Sequence, residues 1–347
     1  MNWKQGMRHP GVLAAFGAAV LFGTGTPLAK LLLQTVNPWM LAGLLYIGSG
    51  LGLSLYRIFS HAHSVSLPRR EVPWFVGAVI AGGIIGPVLL MLGLSGIPAS
   101  DASLLLNAEG VFTAFLAWFA FKENFDRRIA LRMVMIVAGA IVLSWPDNLH
   151  FASLWPTLAI LGACFAWGID NNLTRKVSLS DATWIASVKG LVAGSVNLML
   201  AFVQGVTMPP LINIFGAMLV GFFAYGLSLT LFILALRHLG TARTGAYFSI
   251  APFLGALIAL VMCDPVTMPL LIAGSLMALG IWLHLTERHE HMHTHEVVEH
   301  EHEHNEHHQH THDELISVDA KHPHKHRHEP LTHDPPHFPD AHHRHKH

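Results

Sequence analysis

The sequence has 347 residues, of which 52% are hydrophobic and only 12% are charged. A soluble domain carries about 25% charged residues, so this composition excludes a soluble globular enzyme, a collagen-like chain and a fully disordered protein. It also argues against a nucleic-acid partner. The charge is unevenly split. From Glu287 onward the chain holds 13 acidic and 6 basic residues with 21 of its 27 histidines, whereas the preceding part carries excess positive charge.

The body before Glu287 contains ten apolar stretches long enough to cross a bilayer. A membrane helix needs about 20 residues and satisfies its backbone polar groups internally. The first stretch is too long for a signal-peptide core, so we expect it to be retained after a short segment, residues 1–10. The sequence predicts an all-α integral membrane protein in a lipid bilayer, with spans at Gly11–Leu33, Pro38–Phe59, Val72–Leu94, Ala99–Phe121, Arg128–Trp145, Ala152–Asn172, Ala182–Val203, Leu211–Leu236, Thr241–Met262 and Thr267–Leu285.

Basic residues concentrate in alternate joints between these spans. Because cytoplasmic loops carry an excess of Lys and Arg, we predict that both termini are cytoplasmic, in a bacterial inner membrane. The basic joints hold Arg57, Arg69, Arg70, Lys122, Arg127, Arg128, Arg175, Lys176, Arg237 and Arg243, whereas the opposite joints hold Asp101, Asp147 and Asp264.

The two halves of the body resemble each other. Gly17–Gly23 aligns with Gly162–Gly168, and Ala99–Ala102 aligns with Thr241–Thr244 in the same order. Each half has five spans, so the second half enters the membrane from the opposite side. The sequence therefore predicts two inverted five-helix repeats, residues 11–145 and 152–286, an architecture common in secondary transporters.

The segments Leu21–Pro27, Ala102–Phe112 and Thr244–Phe253 resemble the EamA family of the drug/metabolite transporter superfamily. The resemblance covers residues 11–286 and implies a ten-helix carrier built from two repeats. It implies a small-molecule substrate without identifying it. Such carriers often have an Arg early in span 2, where this chain has Leu44, and Lys189 occupies the matching place in span 7.

Polar residues inside the spans are the candidates for substrate binding or proton coupling, because charges within a membrane usually face the bundle interior or water. Glu109 is either a protonatable coupling carboxylate or a structural glutamate. Lys189 either pairs with Glu109, binds an anionic substrate or extends to the interface. Asp170 either lines an inner vestibule or caps a helix end, Asn107 either joins the site or bonds a neighbouring helix, and Tyr247 either lines the cavity or packs.

Three prolines within predicted spans are candidates for helix interruption or bending: Pro27, Pro87 and Pro252. Proline removes a helical hydrogen bond and frees a backbone carbonyl. In a carrier such positions are expected to act as hinges, whereas in a static bundle they are packing features.

The tail, residues 287–347, alternates histidine with acidic and other polar residues. Low hydrophobicity predicts disorder without metal, and imidazole with carboxylate favours divalent transition metals such as Zn²⁺, Ni²⁺ or Co²⁺. A pH-responsive tail and an incidental extension are the alternatives. The candidate ligands are His289, His291, His293, His295, His300, His302, His304, His322, His324, His326 and His328.

These features favour a secondary transporter that moves a small metabolite by alternating access, exporter or permease, with proton coupling as an option and no required cofactor. The alternative is a transition-metal transporter whose tail collects or senses the metal. A membrane metalloenzyme is disfavoured because the spans contain almost no histidine. We therefore do not expect an enzyme.

Overall fold

The computed structural model describes residues 10–63, 65, 67–121, 127–145, 151–177 and 180–285, and, in the tail, residues 293–294, 299–303, 323–327 and 332–333. The body, which comprises Met1–Glu287, is a helical bundle. Its helices are α1 (Pro10–Leu32), α2 (Pro38–Phe59), α3 (Val72–Ala78), the π-helix π1 (Val79–Ile85), α4 (Gly86–Gly96), α5 (Ala99–Leu105), α6 (Ala108–Phe121), α7 (Arg127–Ser144), α8 (Phe151–Val177), α9 (Ala182–Val203), α10 (Leu211–Val220), the π-helix π2 (Gly221–Leu227), α11 (Ser228–Phe248), α12 (Ala251–Val261) and α13 (Met268–Leu285).

The helices confirm an all-α integral membrane protein. Among the described residues, six helical stretches are long and apolar enough to cross a membrane, and three shorter apolar helices accompany them. The second and seventh predicted spans coincide with α2 and α9 at both ends. Their starts are capped in the same way, since the side chains of Asn37 and Asp181 accept hydrogen bonds from the backbone N–H groups of Trp39 and Trp184.

Irregular helix geometry recurs at corresponding places in the two halves. Span 3 contains π1 and span 8 contains π2, whose ranges are offset by the same number of residues at both ends. Span 4 is interrupted at Leu106 and Asn107, and span 9 is interrupted at Ser249 and Ile250. π-Helical turns occur often at functional sites, and broken helices at matching positions mark the binding region of many carriers.

The chain reverses direction within α11, although its helical hydrogen bonding runs from Ser228 to Phe248. The rings of Phe232 and Phe248 lie 4.8 Å apart. In a straight helix, residues at this sequence separation would be about 24 Å apart along the axis. The reversal corresponds to the predicted joint between spans 8 and 9, so the two spans lie side by side.

The two halves meet along a seam between α2 and α9. Gly190 packs directly on the backbone of Gly50, and a Cβ atom at position 190 would lie 2.6 Å from the Gly50 nitrogen. Small residues allow membrane helices to approach this closely. The seam holds Lys189 of α9 near Tyr46 of α2, since the side chains of both residues lie close to Gly83.

The tail, Arg288–His347, forms a separate unit. Its described residues form two antiparallel pairs of strands: β1 (His293–Thr294) with β4 (Thr332–His333), and β2 (Glu299–Glu303) with β3 (Pro323–Arg327). The remainder of the tail lies outside the described residues. Its predicted disorder and metal binding therefore stay predictions.

Candidate functional site

A cavity lies inside the bundle and takes its walls from both halves of the chain. The first half contributes Phe22 from α1, Tyr46 from α2 and Glu109 from α6. The second half contributes the larger share: Trp167, Asp170 and Asn171 from α8, Lys189 from α9, Ala224 and Tyr225 from π2, and Ser228, Leu229, Phe232 and Phe248 from α11.

Glu109 enters the cavity from the first turn of α6, directly after the break in span 4. Its Oε1 atom accepts a hydrogen bond of 2.7 Å from Nδ2 of Asn171, which also donates to Oγ1 of Thr113 at 3.2 Å. The N-terminal turn of a helix favours a negative charge, because its N–H dipoles point toward the group. The break thus creates a helix start in mid-membrane where a carboxylate is tolerated.

Lys189 pairs with Asp170, not with Glu109. Its ammonium group forms a buried ion pair with Oδ2 of Asp170, and both residues are almost inaccessible to solvent. The other carboxylate oxygen accepts a 2.9 Å hydrogen bond from Oγ1 of Thr174. Asp170 lies inside α8, which continues to Val177, so the helix-end capping expected for it is replaced by an ion pair across two spans. Each buried charge is neutralised by the other. Neither side chain therefore needs to extend to the membrane–water interface.

The carbonyl groups of π1 bind three side chains that the sequence reasoning did not bring together. The Gly82 oxygen accepts hydrogen bonds from the Tyr46 hydroxyl at 2.7 Å and from the Trp167 indole nitrogen at 2.9 Å. The Gly83 oxygen accepts one from Nδ2 of Asn197 at 3.1 Å. Of the signals in the sequence, only the run Gly82–Pro87 in an apolar span pointed to irregular backbone here.

Aromatic rings that line the cavity contact one another and form an aromatic layer. The Phe22 ring lies 5.9 Å from Trp167, 6.0 Å from Tyr225 and 5.3 Å from Phe248, measured between ring centroids. Tyr46 lies 5.5 Å from Tyr225. These separations are typical of interacting aromatic pairs. The cavity is therefore mainly apolar and contains a few charged groups.

Two predicted site residues lie outside the cavity lining. Nδ2 of Asn107 donates to the Leu104 carbonyl at 3.0 Å and contacts the Met277 sulfur at 3.6 Å, so it ties the broken span 4 to α13. Tyr247 packs on Phe16, with ring centroids 5.3 Å apart. Their predicted roles in binding or coupling stay predictions.

The three prolines occupy different positions in their helices. Pro27 lies within α1, which continues through it. Pro87 follows π1 at the first turn of α4. Pro252 lies in the first turn of α12, where a missing N–H costs no helical hydrogen bond. The hinge role of all three stays a prediction.

Arg57 and Asp181 link the two halves at one end of the bundle. The Arg57 guanidinium lies 2.6 Å from Oδ1 of Asp181 and donates to Oγ1 of Thr183 at 2.7 Å. Partial burial raises the pKa of Asp181, but hydrogen bonds from Thr183 and the Trp184 N–H, together with the Arg57 charge, outweigh it. The pKa of Asp181 therefore lies below its ordinary value.

No group of three or more His, Cys, Asp or Glu side chains that could hold a metal ion occurs among the residues that the structure describes. In the cavity, Asp170 is already paired with Lys189, which leaves Glu109 as the other carboxylate of its described lining. The side chains of the predicted tail ligands lie outside the described part of the chain.

Comparison with known proteins agrees with this architecture. Residues 9–145 match the EamA-like transporter family. An uncharacterized transporter of Methanothermobacter thermautotrophicus is 26% identical over 294 residues, which is 79% of this chain and 85% of the relative. A crystal structure of another protein, 16% identical, has a TM-score of 0.63 and covers 80% of this chain and 96% of that one, a likeness of fold alone.

Two further relatives have names that state a cargo. A probable amino-acid metabolite efflux pump of Escherichia coli is 28% identical over 49% of this chain and 54% of its own length. The pseudopaline exporter CntI of Pseudomonas aeruginosa is 25% identical over 46% of this chain and 54% of its own length. The chain therefore spans about half of each of these proteins. The match of residues 9–145 and the transporter relatives support a multi-pass membrane transporter of small molecules that resembles the EamA-like family.

Proposed function

We propose that this protein is a secondary transporter that moves a small organic metabolite by alternating access, with Glu109 as the group that couples proton movement to transport. The observation that carries the proposal is the cavity, to which both halves of the chain contribute and into which one carboxylate enters from a broken helix. A site between two such halves can be exposed to either side when one half rocks against the other.

The surroundings of Glu109 support a coupling role. The cavity also contains Asp170 and Lys189, which neutralise each other, while Glu109 has the neutral Asn171 as its hydrogen-bond partner. A carboxylate whose charge has no basic partner in the described lining can gain or lose a proton without breaking an ion pair. Substrate and proton can then alternate at the same group.

The test is transport by proteoliposomes that contain the full chain, with and without an imposed pH gradient. Candidate metabolites are first screened by radiotracer uptake. We expect Glu109→Gln to abolish gradient-driven accumulation while retaining exchange of substrate across the membrane, because glutamine preserves size and hydrogen bonding but cannot titrate.

The matched control is Glu71→Gln, which neutralises a carboxylate that precedes α3 and lies outside the cavity. This control should accumulate substrate like the parent protein. If Glu109→Gln accumulates substrate with the parent's rate and pH profile, Glu109 does not couple protons, and its role is structural.

The orientation with both termini in the cytoplasm of a bacterial inner membrane is part of this proposal and rests on the distribution of basic residues. Metal binding by the tail is a separate proposal that rests on the alternating histidines alone, and calorimetric titration of the full chain with Zn²⁺ would test it. No described residue favours metal as the transported substrate.

A further inference from the structure

The charges of the cavity do not balance. Its described lining contains two carboxylates, Glu109 and Asp170, and one basic side chain, Lys189. Lys189 and Asp170 form a buried ion pair, and Thr174 satisfies the second oxygen of Asp170. With every group ionised, the lining thus presents one uncompensated negative charge, located on Glu109.

The hydrogen-bonding groups of the cavity point to the same position. Several donors of its described lining already bind protein acceptors: the Asn171 amide binds Glu109 and Thr113, the Trp167 indole and Tyr46 hydroxyl bind the Gly82 carbonyl, and the Ser228 hydroxyl binds the Ala18 carbonyl at 2.9 Å. The Tyr225 hydroxyl and the remaining N–H groups of Lys189 are donors of the lining as well. The second carboxylate oxygen of Glu109 is an acceptor that also carries the uncompensated charge, so a cationic donor is favoured beside Glu109.

The aromatic layer favours the same kind of ligand. Ring faces attract a positive charge that lies within about 6 Å of the ring centroid. Because the polar edges of Tyr46 and Trp167 are directed to the Gly82 carbonyl, their rings contribute mainly π-surface to the cavity. Phe22, Phe232 and Phe248 add rings without polar groups.

We propose that the substrate class is a monovalent organic amine with an aromatic or apolar body, whose ammonium group binds Glu109 while its body packs on the aromatic layer. This inference rests on the proposed transport function and adds the substrate class. An amino acid of the same shape is disfavoured, because the one cation of the described lining, Lys189, is already paired with Asp170. An apolar carboxylate is disfavoured further, because it would lie beside Glu109.

The experiment is equilibrium binding to the full chain in lipid nanodiscs at pH 7, in the absence of any gradient. Three ligands with the same phenyl group and different charge are compared by calorimetry: 2-phenylethylamine, phenylalanine and 3-phenylpropionate. We expect the amine to bind at least about tenfold more tightly than either of the others, which corresponds to about 1.4 kcal/mol. Equal affinities, or tighter binding of phenylalanine or 3-phenylpropionate, would overturn the inference.

Two variants locate the charge that makes the selection. Glu109→Gln should reduce amine affinity by about tenfold or more, whereas Glu71→Gln should leave it unchanged. Asp170→Asn should release the charge of Lys189 and increase the affinity for 3-phenylpropionate relative to the amine. Amine binding that survives Glu109→Gln undiminished would contradict the assignment, and the comparison of three ligands on the parent chain stands even where a variant does not fold.

Binding and transport separate this inference from the proposed function. Amine binding without flux in proteoliposomes would support the substrate class and contradict transport. Flux of a substrate that is not an amine, with no amine binding, would overturn only the substrate class.

Discussion

At the scale of single residues, the absence of a side chain at Gly82 is what permits the ion pair of the cavity. A Cβ atom at this position would overlap the carboxylate of Asp170, which packs on the π1 backbone while it binds Lys189. The same glycine presents its carbonyl to Tyr46 and Trp167. One backbone position thus sets the place of two charged and two aromatic side chains.

We predict that Gly82→Ala destabilises the folded protein by about 1–3 kcal/mol, the usual cost of overpacking a tight interior. The added methyl group must displace Asp170 or π1, so binding in the cavity should weaken as well. Thermal unfolding in detergent and calorimetric binding measure the two effects. Gly245→Ala is the control, because a Cβ atom there meets no atom of the described residues within 4 Å and should be tolerated. Equal melting temperatures for both variants would contradict the prediction.

At the scale of elements, the start of α9 joins its capping residue to the other half of the molecule. Asp181 accepts the Trp184 N–H at 2.8 Å as a helix cap and binds Arg57 at the end of α2. The side chain of Asp181 is 41% exposed, so screening by water limits the contribution of the ion pair. The helix cap should therefore dominate its effect on stability.

We predict that Asp181→Ala lowers the free energy of unfolding by about 1 kcal/mol, the typical value of a lost N-cap. Since the pKa of Asp181 is depressed in the folded state, its contribution is present above the unfolded value of about 4 and is lost as pH falls through the folded value. The difference in melting temperature between parent and variant should therefore vanish in acid. Glu71→Ala, which removes an acidic residue before α3 that makes no capping hydrogen bond, should have little effect. If Glu71→Ala lost as much stability at pH 7 as Asp181→Ala does, the capping role of Asp181 would be contradicted.

The elements also explain which parts of the fold follow from sequence. Spans with polar ends, such as α2 and α9, were predicted at both ends because a cap and an apolar run coincide there. The break at Asn107 was not predicted, because an asparagine within an apolar run is as compatible with a continuous helix as with an interrupted one. The partner of Lys189 was not predicted either, since the choice between Asp170 and Glu109 depends on helix rotation that spacing alone does not determine.

Lys30 lies at the end of the first predicted span that faces away from the cytoplasm, so it is an exception to the pattern of basic joints. Its ammonium donates to the carbonyl oxygens of Leu94 at 2.7 Å and Ile97 at 2.8 Å. These carbonyls end α4 and its following turn, where no helical N–H is available to them. The position of Lys30 is thus explained by the need of these carbonyl groups for hydrogen-bond donors. It carries no information on the orientation of the protein in the membrane.

At the scale of the whole molecule, irregular helix geometry recurs at corresponding places in the two halves, and the inverted repeat stays a prediction. π1 and π2 occupy matching places, as do the breaks in spans 4 and 9, although the side chains around them differ. The charged groups of the cavity are unevenly distributed, with Asp170 and Lys189 in the second half and Glu109 in the first. A similar backbone therefore surrounds a site whose chemistry is asymmetric.

The orientation of the whole bundle can be tested with a native cysteine. Cys263 is exposed after α12 and Cys164 is buried in α8. If the basic joints face the cytoplasm, a membrane-impermeant maleimide should label Cys263 in intact cells and leave Cys164 unlabelled. In a Cys263→Ser background, Ala62→Cys, in the exposed joint after α2, should be labelled only after the cells are permeabilised. Labelling of Ala62→Cys in intact cells, with Cys263 protected, would reverse the topology and would move the histidine-rich tail to the other side of the membrane.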